Sequence, residues 1–168
     1  LDPGHAFAAS LGDDAVSFGD RNAPTAGYAE FIPEFSSDTR SRIVSNSANG
    51  DFDEYVGYLG GQFWVGRESN LTGQAGGPPT NPIEMGMADS EGNADKAGVI
   101  DRIKENSKYI NGFESFFDAN IFEDVDAAYL SMAESIAEFE KTDEFSPFDS
   151  KYDLSLLINR ETFDAEYE

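Results

Sequence analysis

The chain has 168 residues, of which 33 are acidic and 11 basic, giving a formal charge of −22, with no cysteine and a single histidine. Without cysteine the chain holds no disulfide, no thiolate metal or iron–sulfur site, no thiol nucleophile and no covalent haem of its own, and a lone His5 excludes a multi-histidine metal site. So negative a surface argues against nucleic acid, whose phosphates need Lys and Arg, while 39% hydrophobic and 13% aromatic residues argue for a folded core over an acidic disordered tail.

In chain order, the sequence opens at Leu1 with no basic, apolar and small-residue leader, which reads as a processed product or a piece of something longer. No stretch approaches the roughly 18 apolar residues of a membrane span. Up to residue 93 the chain holds fourteen of its sixteen Gly and six of its seven Pro, a composition of loops and turns. Tyr55 to Val65 is aromatic, but Gly57, Gly60 and Gly61 make it a poor strand candidate. Beyond residue 93 helical spacing takes over. Ala94 to Lys108 sets Val99, Ile100 and Ile103 on one side, and Ile110, Phe113 and Phe117 follow at spacings of three and four. Glu123 to Lys141 is the clearest helix: Val125, Tyr129, Met132, Ile136 and Phe139 form one apolar stripe, with Asp124 and Asp126 at its start and Lys141 at its end, as the helix dipole favours. A last short helix is predicted near Tyr152 to Ile158. The fold class is mainly α, with long Gly/Pro-rich loops and no substantial sheet.

Loops this long call for a ligand to organise them, and three carry residues suited to chemistry. In Gly19-Asp20-Arg21-Asn22-Ala23-Pro24-Thr25, Asn22 and neighbouring carbonyls suit a hard cation, although an Asx-type turn explains the same residues. In Gly60-Gly61-Gln62-Phe63-Trp64-Val65-Gly66-Arg67, the only Trp lies among glycines that let a backbone or flat ligand come close, and Arg67 suits a carboxylate or propionate. The plainer alternative is a core-anchoring Trp64 and a surface ion pair for Arg67. Gln74 through Met85 contains three prolines and two glycines, a stiff loop with an amide, Gln74, near one end and a carboxylate, Glu84, near the other. If the loop folds back, the two converge as an acid/base beside an orienting amide; otherwise Glu84 caps a following helix. Asn70-Leu71-Thr72 matches a glycosylation sequon, too short a match to weigh. Asp118-Ala119-Asn120 opens like a calcium loop but lacks the turn glycine, and the acidic run Glu138 to Glu144 reads as a solvated helix end.

Taken in order, Asp2-Pro3 with Phe7, Arg21-Asn22-Ala23-Pro24-Thr25, Gly61 to Arg67, Gln74 to Met85, and Ala137 to Thr142 followed by Phe145-Ser146-Pro147-Phe148-Asp149 resemble the bacterial dihaem cytochrome c peroxidase family, including its methylamine-utilisation relatives. The resemblance implies two cytochrome-c-like helical domains, each with a covalent haem c. Hydrogen peroxide is reduced at the N-terminal haem with electrons that enter through the C-terminal one from a small cytochrome c or another redox donor protein. It implies catalytic roles for Gln74, which orients the oxidant, and Glu84, which moves a proton between the peroxide oxygens. Trp64 matches the electron relay between the haems, Arg67 falls to the haem pocket, and Asn22 matches a residue of an interdomain calcium site.

The sequence also departs from the family. Leu1 stands where the proximal His of Cys-x-x-Cys-His would precede Asp-Pro, and both Cys positions fall before it. Asp14 takes the place of a distal His eight residues before Asn22, which implies a haem pocket whose iron that loop does not block. The resemblance thus places residues 1–145 in the peroxidatic domain, without its attachment motif, and residues 146–168 in the linker and the start of the second domain. It implies an internal stretch of a periplasmic or extracytoplasmic oxidoreductase, in a homodimer or larger redox complex. The alternatives are a haem-free structural or docking subunit of an electron-transfer assembly, or a calcium-dependent binding module. The acidic charge suits steering of a basic donor and adaptation to salt equally well.

Overall fold

A computed structural model describes residue 9 and residues 11–19, 21–40 and 55–153. Asp2, Pro3, His5 and Phe7 lie outside them, as does the predicted C-terminal helix beyond residue 153, of which residues 151–153 are helical. The elements in order are β1 (Ser36–Arg40), β2 (Tyr55–Leu59), α1 (Leu71–Ala75), α2 (Lys96–Lys104), α3 (Ser107–Phe116) and α4 (Val125–Glu140), with short 3-10 turns at Ala29–Phe31, Pro78–Thr80 and Ile121–Glu123. The domain is mostly helical, as the periodicity requires.

The longest helix, α4, forms the spine against which α1 and α2 pack. Asp124 caps it, accepting from the amides of Asp126 at 3.0 Å and Ala127 at 3.1 Å. Its buried face shares only Tyr129 and Met132 with the predicted stripe. Ala128, Tyr129, Met132, Ala133 and Ala137 are buried, whereas Val125, Ile136 and Phe139 remain exposed. The reason is packing distance: three alanines let neighbouring backbones come close, and that outweighs burial of the larger side chains on the adjoining face. Phe139 instead meets Phe145 edge-on at 5.0 Å. Val99 and Ile100 of α2 join Ala128, Tyr129 and Met132 in the main core, flanked by Met87, Ile103, Phe113, Ile121 and Phe122.

The two runs predicted beyond residue 93 are α2 and α3, but the break between them falls at Glu105 and Asn106 and not after Lys108. Asp95 caps α2 by accepting from the Gly98 amide at 2.9 Å, and Asn106, in an extended conformation, ends the run and caps α3 by accepting from the Lys108 amide at 3.0 Å. An Asn able to satisfy a free amide competes well with helix continuation. The second correction is the sheet. β1 and β2 pair antiparallel, Ser36 opposite Leu59 and Arg40 opposite Tyr55, so Tyr55–Leu59 is a strand despite Gly57. Gly60 and Gly61 begin the turn that ends it, with the Gly61 amide donating to the Pro33 carbonyl at 2.9 Å. Phe35 stacks on Tyr58 at 5.4 Å beside the ribbon.

Candidate active site

The Gln74 to Met85 loop begins on α1. Asn70 caps this short helix, its side-chain oxygen accepting from the Gly73 amide at 3.0 Å. That is the work of the residue in the sequon. Gln74 is half-buried on α1, and among the described residues its side-chain amide has no hydrogen-bond partner. The helix ends at Gly76, whose carbonyl accepts from the Tyr129 hydroxyl at 2.7 Å. This bond, 53 residues apart in sequence, ties the loop to the spine helix. The 3-10 turn Pro78–Thr80 follows, with Pro79 buried.

Asn81 then builds the turn that presents Glu84. Its side-chain oxygen accepts from the amides of Ile83 at 2.9 Å and Glu84 at 3.2 Å, and its Nδ2 donates to Glu84 Oε1 at 3.1 Å. Its carbonyl accepts from the amides of Met85 at 3.2 Å and Gly86 at 3.0 Å. Glu84 is exposed and does not cap a helix, since the next one begins at Lys96 under its own cap, Asp95. Gln74 and Glu84 therefore stand on one loop fixed at both ends, without a hydrogen bond to one another. Sequence reading passed over Asn81; the Asn-Pro pair, a common turn opener, was the available signal.

The segment that carries Asp14 docks on this turn. The Asp13 amide donates to the Ile83 carbonyl at 2.9 Å, and Gly12 lies so close to the same carbonyl that any Cβ there would collide with it. Asp14 is occupied by its own turn: its carboxylate accepts from the amides of Val16 at 2.9 Å and Ser17 at 2.8 Å and from the Ser17 hydroxyl at 2.6 Å. These bonds, that from the Ser17 hydroxyl foremost, hold the Asp14 carboxyl below the ordinary range.

Trp64 and Arg67 stand on a third loop, closed by the Gln62 amide donating to the Glu68 carbonyl at 2.7 Å. Trp64 is 88% exposed, which overturns the core-anchor alternative. Phe63 is what the loop packs inward: a Cβ at Gly77 would lie 3.2 Å from its ring, so the Trp64 loop touches the Gln74 loop there. The Arg67 guanidinium lies over the same ring, 3.5 Å from its centroid, and makes no salt bridge among the described residues. Asn22 is exposed in a segment without regular secondary structure, and among the described residues no three His, Cys, Asp or Glu side chains converge on a metal position. A groove of about 570 Å³ between α3 and α4 is lined by none of these residues.

Five of the six predicted site residues thus lie on three loops that touch one another, at Asp13 to Ile83 and at Phe63 to Gly77, on a small helical scaffold. The family model of di-haem cytochrome c peroxidase matches residues 3–159. The chain therefore belongs to the di-haem cytochrome c peroxidase family. Over 147 residues it is 44% identical to the methylamine utilization protein MauG of Paracoccus denitrificans, covering 88% of this chain and 33% of MauG. Over 90 residues it is 33% identical to the cytochrome c peroxidase Ccp of Escherichia coli, covering 52% of this chain and 17% of Ccp. The chain spans a third or less of the length of these relatives. The fold matches that of the diheme peroxidase BthA of Burkholderia thailandensis with a TM-score of 0.69 at 22% identity, over 93% of this chain and 33% of the other. No helix among the described residues is long and apolar enough to cross a membrane.

Proposed function

We propose that this chain is the peroxide-reacting part of a haem-dependent peroxidase that reduces hydrogen peroxide with electrons from a cytochrome c-type donor. The observation that carries the proposal is the pair of docked loops, which present a solvent-facing carboxylate at Glu84 and, on the same Gln74 to Met85 loop, a half-buried amide at Gln74 without a partner among the described residues. The residues present fit a haem. Leu11, Val16, Ile83 and Met85, all on these two loops, stay exposed and supply apolar surface of the kind a flat apolar ligand would cover. Cysteines to attach it are absent from the 168 residues, so its thioether bonds come from chain outside them.

When bound, the haem supplies the iron that passes electrons to the oxidant. The rest falls to side chains. Peroxide becomes two waters by taking up two electrons and two protons, and its O–O bond breaks most readily when a proton is taken from one oxygen and delivered to the departing one. Glu84 accepts the first proton through its carboxylate and returns it to the leaving oxygen. Gln74 donates a hydrogen bond that orients the oxidant. Trp64, exposed on its loop, is the relay toward a second haem, and Arg67 pairs with a haem propionate. Asp14, its carboxylate held in its own turn by Val16 and Ser17, would leave the haem pocket unblocked. Asn22 contributes one oxygen to a calcium site completed by a second domain, so that residues 1–145 form the peroxidatic domain and residues 146–168 lead out of it. The same reading carries a periplasmic or extracytoplasmic location and a homodimer or larger redox complex.

The test is made on the full-length protein that contains this chain. A Soret band that survives denaturation and comigrates with the protein is expected, and Glu84→Gln should lower peroxide turnover by about 10²–10⁴ while leaving that spectrum intact. Turnover unchanged by the substitution would remove Glu84 from the acid/base role. A full-length protein without haem would favour the haem-free docking subunit.

A further inference from the structure

We propose that Asn81 is the positioning residue for the acid/base, fixing which oxygen of the Glu84 carboxylate is free to move the proton; the inference rests on the reading of Glu84 given above. Every kind of polar group on Asn81 is engaged within this turn. Its amide donates to the Pro78 carbonyl at 3.2 Å, its carbonyl takes the amides of Met85 and Gly86, and its side-chain oxygen takes those of Ile83 and Glu84. Two N–H donors facing one end of the carboxamide settle which end is oxygen, because a nitrogen there would point hydrogens at hydrogens. The other end is then Nδ2, and it faces Glu84 Oε1 at 3.1 Å.

The consequence for Glu84 is geometric. An exposed glutamate samples many rotamers, and most of them aim the carboxylate away from any one reacting atom. Here the backbone at Glu84 is held by the Asn81 side-chain oxygen and the carboxylate by the Asn81 side-chain nitrogen, so one residue constrains both ends of the side chain. A hydrogen bond from a neutral amide to a carboxylate is charge-assisted, and it occupies Oε1. Oε2 has no partner among the described residues and is the oxygen left to accept a proton. The other titratable group packed on this turn is Asp13, whose carboxylate faces Gly86.

The experiment uses Asn81→Asp in the full-length, haem-loaded protein. Aspartate keeps the oxygen that accepts from Ile83 and Glu84 but turns an oxygen, not a donor, toward Oε1. Hydrogen exchange at the Ile83 and Glu84 amides should stay within about three-fold of the parent. Peroxide turnover should fall at least about ten-fold. The acid limb of the pH–rate profile should move to higher pH, because a second carboxylate beside Glu84 disfavours its ionisation. Unchanged turnover and pH profile, with Glu84→Gln inactive in parallel, would overturn the role of Asn81 while leaving that of Glu84. Loss of amide protection together with activity would also overturn it, showing a part in folding alone. Activity retained in Glu84→Gln would overturn the acid/base reading and this inference with it.

Discussion

At the scale of single residues, the candidate site depends on backbone approaches that one added methyl group would prevent. Gly12 is such a case, since a Cβ there would collide with the Ile83 carbonyl oxygen, which the neighbouring Asp13 amide bonds at 2.9 Å. A carbonyl in a tight turn cannot step aside as a long side chain can. Gly12→Ala is therefore expected to separate the two loops at a cost of about 1–3 kcal/mol, read as a lower unfolding midpoint and faster exchange of the Asp13 amide. Unaltered exchange there would show that the contact does not hold the loops together. The same segment predicts a response to acid. The Asp14 carboxyl is lowered in the folded chain from its ordinary value of 3.8, so the unfolded chain binds the proton first as pH falls. The stabilisation is whole above pH 3.8, and it drains away as the pH drops through the lower native value. Exchange at the Val16 and Ser17 amides, both donors to this carboxylate, should rise in that window, whereas Asp14→Asn should show little change across it.

At the scale of elements, spacing located the helices but not the faces they bury. The stripe from Val125 to Phe139 located α4 and two of its core residues, Tyr129 and Met132, but missed the rest of the buried face, because periodicity counts bulk and the actual contact selects alanines that permit close approach. Ala137 is 1% exposed and packs with Ala29 and Leu71, while Ile136 beside it is 36% exposed. Ala137→Leu should therefore destabilise by about 1–3 kcal/mol through overpacking, and Ile136→Ala by less. A denaturant titration in which the two costs are reversed would restore the phase read from the sequence. The β1–β2 ribbon was illegible for another reason. Tyr55, Val56, Tyr58 and Leu59 favour a strand, but Gly57 masks them, and the pairing partner lies at Ser36–Arg40, which has no apolar alternation of its own. The site was legible as motifs and not as an assembly. Gln74, Glu84 and Trp64 stand out by residue type, whereas the contacts that gather their loops use a backbone amide, a glycine and a tyrosine hydroxyl with no local pattern around them. Asn81 shows both sides: its place before Pro82 marks a turn, yet nothing in the sequence says that its side chain reaches Glu84.

At the scale of the whole molecule, the charge of −22 sets how the domain answers salt. The ion pairs Lys96–Asp126, Arg102–Glu105, Lys104–Asp101 and Lys141–Glu138 are all solvent-exposed, and such pairs contribute about 0–1 kcal/mol each. With three acidic groups for every basic one, most carboxylates have no cation to meet, so repulsion among them outweighs pairing. Salt shortens the reach of that repulsion from about 10 Å at 0.1 M to about 3 Å at 1 M. The unfolding temperature should accordingly rise as sodium chloride is raised over this range; a fall would mean that the ion pairs, and not the unpaired acids, govern stability. The same titration separates the two uses of the charge. If the acidic surface steers a basic donor protein, turnover with that donor should drop steeply over the range in which stability climbs, because the association rate depends on the long-range field. Turnover with a small neutral reductant should stay level, since the proton transfer proposed for Glu84 and the hydrogen bond proposed for Gln74 act within contact distance, where screening has little hold. Equal salt dependence with both reductants would assign the charge to salt tolerance alone and leave donor recognition to a surface other than this chain.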